Sequence, residues 1–240
     1  MKILSIDTSG RHASAAIIFD GSRENIIGEI SLNAKHTEKA YTHSETLMPA
    51  IEHLFALTGQ TVDEITHIAY TCGPGSFTGL RIGASSALGL SKALNIPAVA
   101  VPTLDALAFN VSGMGFDGDI CPMLDARRGQ VYAALYDNKF NILMGYSALT
   151  IHELEAKIRG STLFVGDGAA ANENVLLKIK NAAVAPDNVN FVRASSVGLR
   201  ALNYIKNDVQ TENKMIYVRP PQAVMAQTAI FSNKALAANL

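Results

Sequence analysis

Gly73-Pro74-Gly75-Ser76-Phe77-Thr78-Gly79-Leu80-Arg81-Ile82-Gly83 decides how this chain is read. The apolar run Ile68-Ala69-Tyr70-Thr71 before it reads as a buried strand, and the small-residue stretch after it, ending near Leu94, reads as a helix. Glycine and proline at this density build a tight strand-to-helix turn. Backbone N–H groups at the start of such a helix are donors for an anion or a partner. Two phosphate-loop readings fail on residue identity. A P-loop needs Gly-Lys-Ser/Thr, and Gly79 is followed by Leu80-Arg81; a dinucleotide fingerprint needs glycine where Thr78 stands. Gly75-Ser76-Phe77-Thr78-Gly79 also departs from the Gly-x-Ser-x-Gly elbow of serine hydrolases.

Outward from the loop, the N-terminus reads as a meander of three strands: Ile3-Leu4-Ser5-Ile6, Ser14-Ala15-Ala16-Ile17-Ile18-Phe19, and the run from Asn25 to Leu32, with a turn signal at Asp20-Gly21. Residues 119–149 repeat this pattern. Asp7 aligns with Asp125, Ser14-Ala15-Ala16-Ile17 with Tyr132-Ala133-Ala134-Leu135, and Asp20-Gly21 with Asp137-Asn138. The offset is 118 for the aspartates and 117 for the turns, so one residue slips inside the hairpin. Self-similarity of this kind implies two related halves, although a strand–turn–strand pattern also recurs by chance. The first half continues with a helix at 43–57, a strand at 67–71, a helix at 77–94 and a strand at 96–101. The second continues with a helix near 150–159, a strand at 162–165 and helices near 170–180 and 195–207. Two mixed sheets flanked by helices is the α/β expectation, with halves at 1–106 and 107–222 and a border between Thr103 and Gly118. Residues 223–240 are expected to pack back on the first half as a helix.

Composition narrows the function classes. The chain has 240 residues, 48% of them apolar, enough for one large domain or two small ones. Its net charge of −1 creates no global basic field, so a nucleic acid would be held by a local patch or by another subunit. Cys72 and Cys121 form no CxxC pair and read as reduced, buried thiols of a cytoplasmic protein. Asp7 interrupts the N-terminal apolar run, which argues against a signal peptide, and no apolar stretch approaches the ~18 residues of a membrane span. The histidines at 12, 36, 43, 53, 67 and 152 include no pair at helical ligand spacing, so no metal site is expected.

Two helices present distinctive faces. The first opens with the capping box Thr42-x-x-Glu45, and His43 at its start reads as a cap or a surface hydrogen-bonding group. Leu47, Met48, Ile51, Leu54 and Phe55 share one side of it, and Pro49 is expected to kink it. The second aligns Gly79, Gly83, Ala87 and Ser91 on one face, where another helix can approach closely. That face serves either packing within the domain or a four-helix interface with another chain.

Five motifs occur in order: Ile6-Asp7-Thr8-Ser9, THSETLMPAI at 42–51, the glycine loop with its helix at 73–94, LDARRGQVYAALY at 124–136, and VGDGA at 165–169. Together they resemble the TsaB (YeaZ) family, while the last 70 residues match only in general character. Members of that family are non-catalytic paralogues of TsaD, the enzyme that makes threonylcarbamoyl-adenosine in tRNA. The resemblance implies an actin-like, Hsp70-like ATPase fold of two related halves. It implies a scaffold that binds and stabilises TsaD and helps to recruit the ATPase TsaE. Such a scaffold touches tRNA through the complex, pairs with a second copy when TsaD is absent, and stays off the membrane. The implied partner surface comprises His43, Leu47, Met48, Ile51, Phe77, Gly79, Leu80, Arg81, Gly83 and Ala87.

The same resemblance frames the remaining polar motifs. In the actin-like fold Asp7-Thr8-Ser9 approaches nucleotide phosphates, where acidic and hydroxyl groups suit a hydrated cation; a simple turn cap is the plainer alternative. Asp125-Ala126-Arg127-Arg128-Gly129 stands where an ATPase carries a glycine-rich loop, and its side chains would crowd a phosphate approach. Arg127 either pairs with a phosphate or carboxylate or forms a surface ion pair with its neighbours. Asp167, between Gly166 and Gly168, resembles an adenosine-contacting turn or an ordinary αβ turn. TsaD carries two metal-binding histidines where this chain has Thr103 and Leu107, neither an adequate ligand. The expectation is therefore a chain that requires no cofactor of its own, with ADP or ATP at the partner interface. An ATP-dependent phosphotransferase is the alternative, resting on Asp7-Thr8-Ser9 and Asp125. A peptidase lacks both a metal pair and a recognisable nucleophile.

Overall fold

Side chains alternate between two buried faces along Lys2–Asp7 (β1) and His12–Asp20 (β2), so this hairpin must be covered on both sides. The computed structural model describes residues 1–21, 24–33 and 42–219. In it β1 pairs antiparallel with β2 and parallel with β4 (His67–Thr71). With β3 (Glu24–Asn33) and β5 (Ala98–Val101) they form one five-stranded sheet in the order β3-β2-β1-β4-β5. The second sheet runs β10-β9-β6-β7-β8, built from β6 (Asp119–Asp125), β7 (Val131–Tyr136), β8 (Ile142–Leu149), β9 (Thr162–Val165) and β10 (Ala182–Val184). Again the first strand pairs antiparallel with the second and parallel with the fourth. The two sheets therefore share one topology, the structural form of the sequence repeat.

The register relocates the one-residue slip. Asp7 stands opposite Ser14, and Leu124 stands opposite Tyr132. The second strands thus superpose with the offset read from the sequence, but Leu124, not Asp125, is the counterpart of Asp7. Asp125 lies one residue further along, opposite Val131.

The outer face of the first sheet is covered by α1 (His43–Thr58) and α2 (Phe77–Leu94), which bury Leu47, Ile51, Leu54 and Ala87 against Leu4, Ile6 and Ile68. The Glu45 carboxylate accepts from the Thr42 N–H at 2.7 Å, and Gly59 closes α1 with φ 65°. Pro97, which has no N–H to give, delays β5 to Ala98, although its carbonyl still accepts from the Ile68 N–H at 3.0 Å. The second sheet carries shorter helices than the expected 150–159 and 170–180: α4 (Ile151–Glu155), α5 (Asp167–Ala171) and α6 (Glu173–Leu176). Asn172 divides the last two, its side chain donating to the Gly168 carbonyl at 2.8 Å. The expected helix at 223–240 and the end of the second half at 222 lie outside the described residues, as does His36.

Between the sheets lie two exchanged helices. α3 (Thr103–Phe109) follows the first sheet in sequence but packs on β6 and β7 of the second. α7 (Ala194–Lys206) follows the second sheet but packs on β1, β2, β4 and β5 of the first. The approach of α7 is close: Ser5 Oγ donates to the Ala194 carbonyl at 2.7 Å, and Glu29 accepts from the Ser195 N–H at 3.0 Å and from Arg193. One apolar core, including Ile18, Val101, Leu104, Tyr136, Val165 and Val197, runs through this layer and joins the halves.

Within that core Asp105 of α3 is buried, 3% exposed. Its Oδ1 accepts from the hydroxyls of Tyr136 and Tyr146, each at 2.6 Å, and its Oδ2 from Tyr204 and Arg200. Burial and the adjacent carboxylate both push the three phenols above their ordinary range. The carboxylate thus joins α3 and the second sheet to α7. Cys72 and Cys121 are free and buried. Among the described residues no helix is long and apolar enough to cross a membrane.

Candidate functional site

The glycine loop is positioned by the end of β1. Its Ser76 N–H donates to the Ser9 carbonyl at 2.7 Å, and the Thr8 hydroxyl donates to the Gly79 carbonyl at 2.7 Å. Ser76 caps α2 by accepting from the Gly79 N–H at 3.2 Å. Gly79 and Gly83 are required by this proximity. A β-carbon on Gly79 would overlap the Thr8 carbonyl, and one on Gly83 the Thr8 hydroxyl. The Gly73–Pro74 bond is cis, and the Gly73 carbonyl accepts from the Thr103 N–H at 2.9 Å. Two of the loop's N–H donors, those of Ser76 and Gly79, are thus spent on the chain itself.

This packing revises the partner surface expected from sequence. The small-residue face of α2 meets chiefly the strand end, with the His43 ring at the start of α1 beside Gly79: Gly79, Gly83 and Ala87 are buried, as are Leu80, Leu47 and Ile51. His43 is half-buried, its Nε2–H donating to the Gly10 carbonyl at 3.0 Å. The exposed members are Met48 and Phe77, each at 40%, and Arg81. Leu88, on the same side of α2, is exposed at 38% and was not anticipated. The Arg81 guanidinium lies 3.8 Å over the Phe77 ring, and the Tyr217 ring sits 5.7 Å from it. Lone apolar residues on a surface are ordinary, but Phe77 and Tyr217 cluster around the Arg81 cation, with Leu88 about 16 Å further along the same side of α2.

On the opposite side of the β1 end, the sheets diverge into a cleft of about 630 Å³ whose walls include Asp7, Arg11, Asp125, Asp167 and Phe191. It continues into a narrower recess between Ser9, Gly75, Arg127 and Tyr132. The structure thus brings Asp7, Asp125 and Asp167 together. Asp7 is 1% exposed; its Oδ1 accepts from the Thr71 hydroxyl at 2.8 Å and the Ser9 N–H at 3.1 Å. Burial raises its pKa, with those hydrogen bonds acting the other way. Asp167 Oδ1 accepts from the Asp125 N–H at 3.0 Å, and burial raises its pKa as well. Thr8 contributes nothing polar to the cleft, because its hydroxyl is given to Gly79.

The loop after β6 keeps the backbone of a glycine loop without its residues. Arg127 and Arg128 adopt φ of 63° and 55°, the left-handed region, ahead of Gly129 at 71°. The Arg127 side chain is 78% exposed, with its Nε 3.8 Å from the Asp125 carboxylate, so it leaves the recess open. Thr103 and Leu107, both fully buried, pack inside the core between the sheets.

Comparison with known proteins completes the picture. The family model of TsaD, described as tRNA N6-adenosine threonylcarbamoyltransferase, matches residues 25–230. The tRNA threonylcarbamoyladenosine biosynthesis protein TsaB of Bacillus subtilis (strain 168) is 39% identical over 143 residues, 60% of this chain and 58% of that protein. The protein of the same name from Escherichia coli (strain K12) is 30% identical over 175 residues, 70% of this chain and 72% of that one. The matched region therefore spans a little over half of the first relative and nearly three quarters of the second. Among solved structures, YeaZ from Pseudomonas aeruginosa superposes with a TM-score of 0.70 at 21% identity, covering 90% of this chain and 99% of that one. An inorganic polyphosphate/ATP-glucomannokinase from Arthrobacter sp. strain KM superposes with a TM-score of 0.50 at 10% identity, over 84% and 98% of the two chains. These structural likenesses establish the actin-like fold.

Proposed function

The chain belongs to the TsaB family, and on that premise we propose that it serves tRNA threonylcarbamoyladenosine biosynthesis as a scaffold, not as the catalyst. In this reading it binds and stabilises a TsaD-type paralogue, helps to recruit a TsaE-type ATPase, meets tRNA through the complex, and acts in the cytoplasm. The observation that carries the reading lies on α3. The positions to which the resemblance assigns the paralogue's metal ligands hold Thr103 and Leu107, both buried in the core that binds the halves. Neither side chain is a transition-metal ligand, so that helix is structural here. The docking surface is the exposed side of α2 with Phe77, Arg81 and Leu88, together with exposed Met48 on α1, and the same surface pairs two copies when the paralogue is absent.

The test is an omit-one reconstitution with ligase, TsaD, TsaE, ATP, threonine, bicarbonate and tRNA, scoring the modified nucleoside. Product lost without this chain and restored by adding it supports the scaffold. Transfer of the threonylcarbamoyl group by the purified chain alone overturns it.

The convergence of three carboxylates on one cleft favours a second reading, an ATP-dependent phosphotransferase. Asp7, Asp125 and Asp167 line one cleft, but among the described residues no three such groups stand close enough to hold a metal ion directly, so a cation there would be bound through its own water; the recess beside Ser9 and Gly75 is open to a phosphate. A nucleotide bound there would supply a phosphoryl group, whereas ADP or ATP held at the docking surface would only join the partners. ATP turnover by the isolated chain, abolished in Asp7→Asn, selects this reading over the scaffold.

A further inference from the structure

Behind the Asp105 cluster, away from the carboxylate cleft, lies a second cavity of about 720 Å³. That volume is typical of small-molecule sites. Cys72, Pro102, Phe140, Met215 and Ile216 contribute apolar wall, and Arg200 and Lys214 are its cations. One side is formed by residues 209–216, which have neither helix nor strand. They are tied by the Ile216 N–H to the Cys72 carbonyl at 2.7 Å and by Asn213 Oδ1 accepting from the Tyr70 hydroxyl at 3.3 Å.

The formal charges of this wall match, Arg200 and Lys214 against Asp105 and Glu212, but its hydrogen bonding is uneven. Asp105 is saturated, with two donors on each oxygen. Arg200 is not. Of the five N–H donors of its guanidinium, one meets Asn203 Oδ1 at 3.1 Å and one meets Asp105 Oδ2 at 3.3 Å; the Tyr204 hydroxyl is a further neighbour, the group lies over the Tyr204 and Phe109 rings, and the buried Nε has no partner. Its side chain is only 12% exposed, and the single carboxylate it faces is shared with three phenols. A guanidinium so placed calls for a further acceptor. A cation is disfavoured beside Arg200 and Lys214. A dianion such as phosphate is disfavoured by Asp105 and by Glu212 at the rim. The Cys72 thiol, pushed up to about 12 by burial and by the charge of Asp105, is no nucleophile, so the cavity binds and does not react.

We propose that this cavity is a binding site for a small monocarboxylate with an apolar body, its carboxylate accepting from Arg200 and its body lying against Met215 and Ile216. The cavity is open to solvent on the side of residues 209–216, where Val209 stands at its mouth.

The experiment uses the full chain with methyl-labelled methionine, the Met215 resonance being assigned with Met215→Leu. It is titrated with 3-phenylpropionate, 3-phenylpropanol and 3-phenylpropylamine. The expected result is a saturable shift of the Met215 methyl with the carboxylate, about tenfold tighter than with the alcohol, as one charge-assisted hydrogen bond provides. The amine is expected to be weaker still. Arg200→Gln should remove the preference for the carboxylate. Because that variant disturbs a buried network, Val209→Trp serves as a second blocker: Val209 lines the cavity, is 48% exposed, and its substitution removes none of the side-chain hydrogen bonds of the Asp105 cluster. Loss of the shift in a folded Val209→Trp protein supports the site. No saturable shift, equal shifts for all three probes, or a shift that survives Val209→Trp overturns the proposal.

Discussion

The hydroxyl of Thr8 donates to the carbonyl of Gly79 across 2.7 Å, locking the first turn of α2 onto the end of β1. Gly83, one turn later, faces the same hydroxyl with no room for a β-carbon. Gly83→Ala is therefore expected to cost about 1–3 kcal/mol through overpacking. Thr8→Ala should recover part of that loss in the double variant, because it removes the clashing oxygen. Gly79→Ala, which would meet a backbone carbonyl, should not be rescued. Urea denaturation of the four proteins decides it; purely additive losses for Gly83→Ala and Thr8→Ala would sink the explanation.

Asp7 gives a pH dependence whose sign follows from burial. Its folded pKa is raised above the usual 3.8, so its contribution to stability is fully present below that value and is lost as pH rises through the folded value. Asp7→Asn is expected to melt higher than the parent at neutral pH. The two curves should converge below about pH 4, where both side chains are neutral. The amide oxygen can still accept from Thr71 and Ser9. Melting curves across pH check this, and a variant less stable than the parent at neutral pH would refute it.

Asp105→Asn replaces an acceptor for four donors with a group that brings two donors of its own. It leaves the Arg200 charge buried without its partner, a change worth roughly 3–5 kcal/mol. The loss should appear as a lower urea midpoint with an unchanged slope.

Arg127→Gly tests the loop after β6. Relief of the left-handed backbone is opposed by the greater freedom of glycine in the unfolded chain, so stability should change by less than about 1 kcal/mol. A larger loss would show that the 3.8 Å ion pair with Asp125, and not the backbone, governs the loop.

Surface and core separate between α2 and α1. Phe77→Ala is expected to weaken binding to a TsaD-type paralogue about tenfold, and Arg81→Glu should weaken it further, with little change in melting temperature. Leu47→Ala should do the reverse, losing about 2–5 kcal/mol of stability because Leu47 is 1% exposed in the core. Calorimetric titration against the paralogue, paired with thermal melts, checks both. Unchanged affinity in Phe77→Ala would move the interface elsewhere.

The hairpins, the loop and the two long helices were legible because each is written in local periodicity or turn chemistry. The orientation of α2 was not. Small residues at every fourth position announce a close approach but do not say to what, and here it is the backbone at Thr8. Pairing of Asp7 with Asp125 followed residue identity, whereas the register follows the faces of the sheet and selects Leu124. Asp105 lies in a stretch whose local pattern marks only the absence of histidines at 103 and 107. Its signal was an ionisable group amid Leu104, Ala106 and Leu107, on a helix with no solvent-facing side. The three tyrosines that satisfy it come from β7, β8 and α7, distances in sequence that no local pattern spans.

The exchange of α3 and α7 has a consequence during synthesis. All five strands of the first sheet have left the ribosome once Val101 emerges, yet its inner face stays uncovered until Ala194 and the rest of α7 follow. At roughly 5–20 residues per second that is an interval on the order of 5–20 s in which Ile3, Ala16, Ile18 and Val101 lack their cover. The nascent first half is then a client for chaperones, and its folding is completed from the far end of the chain.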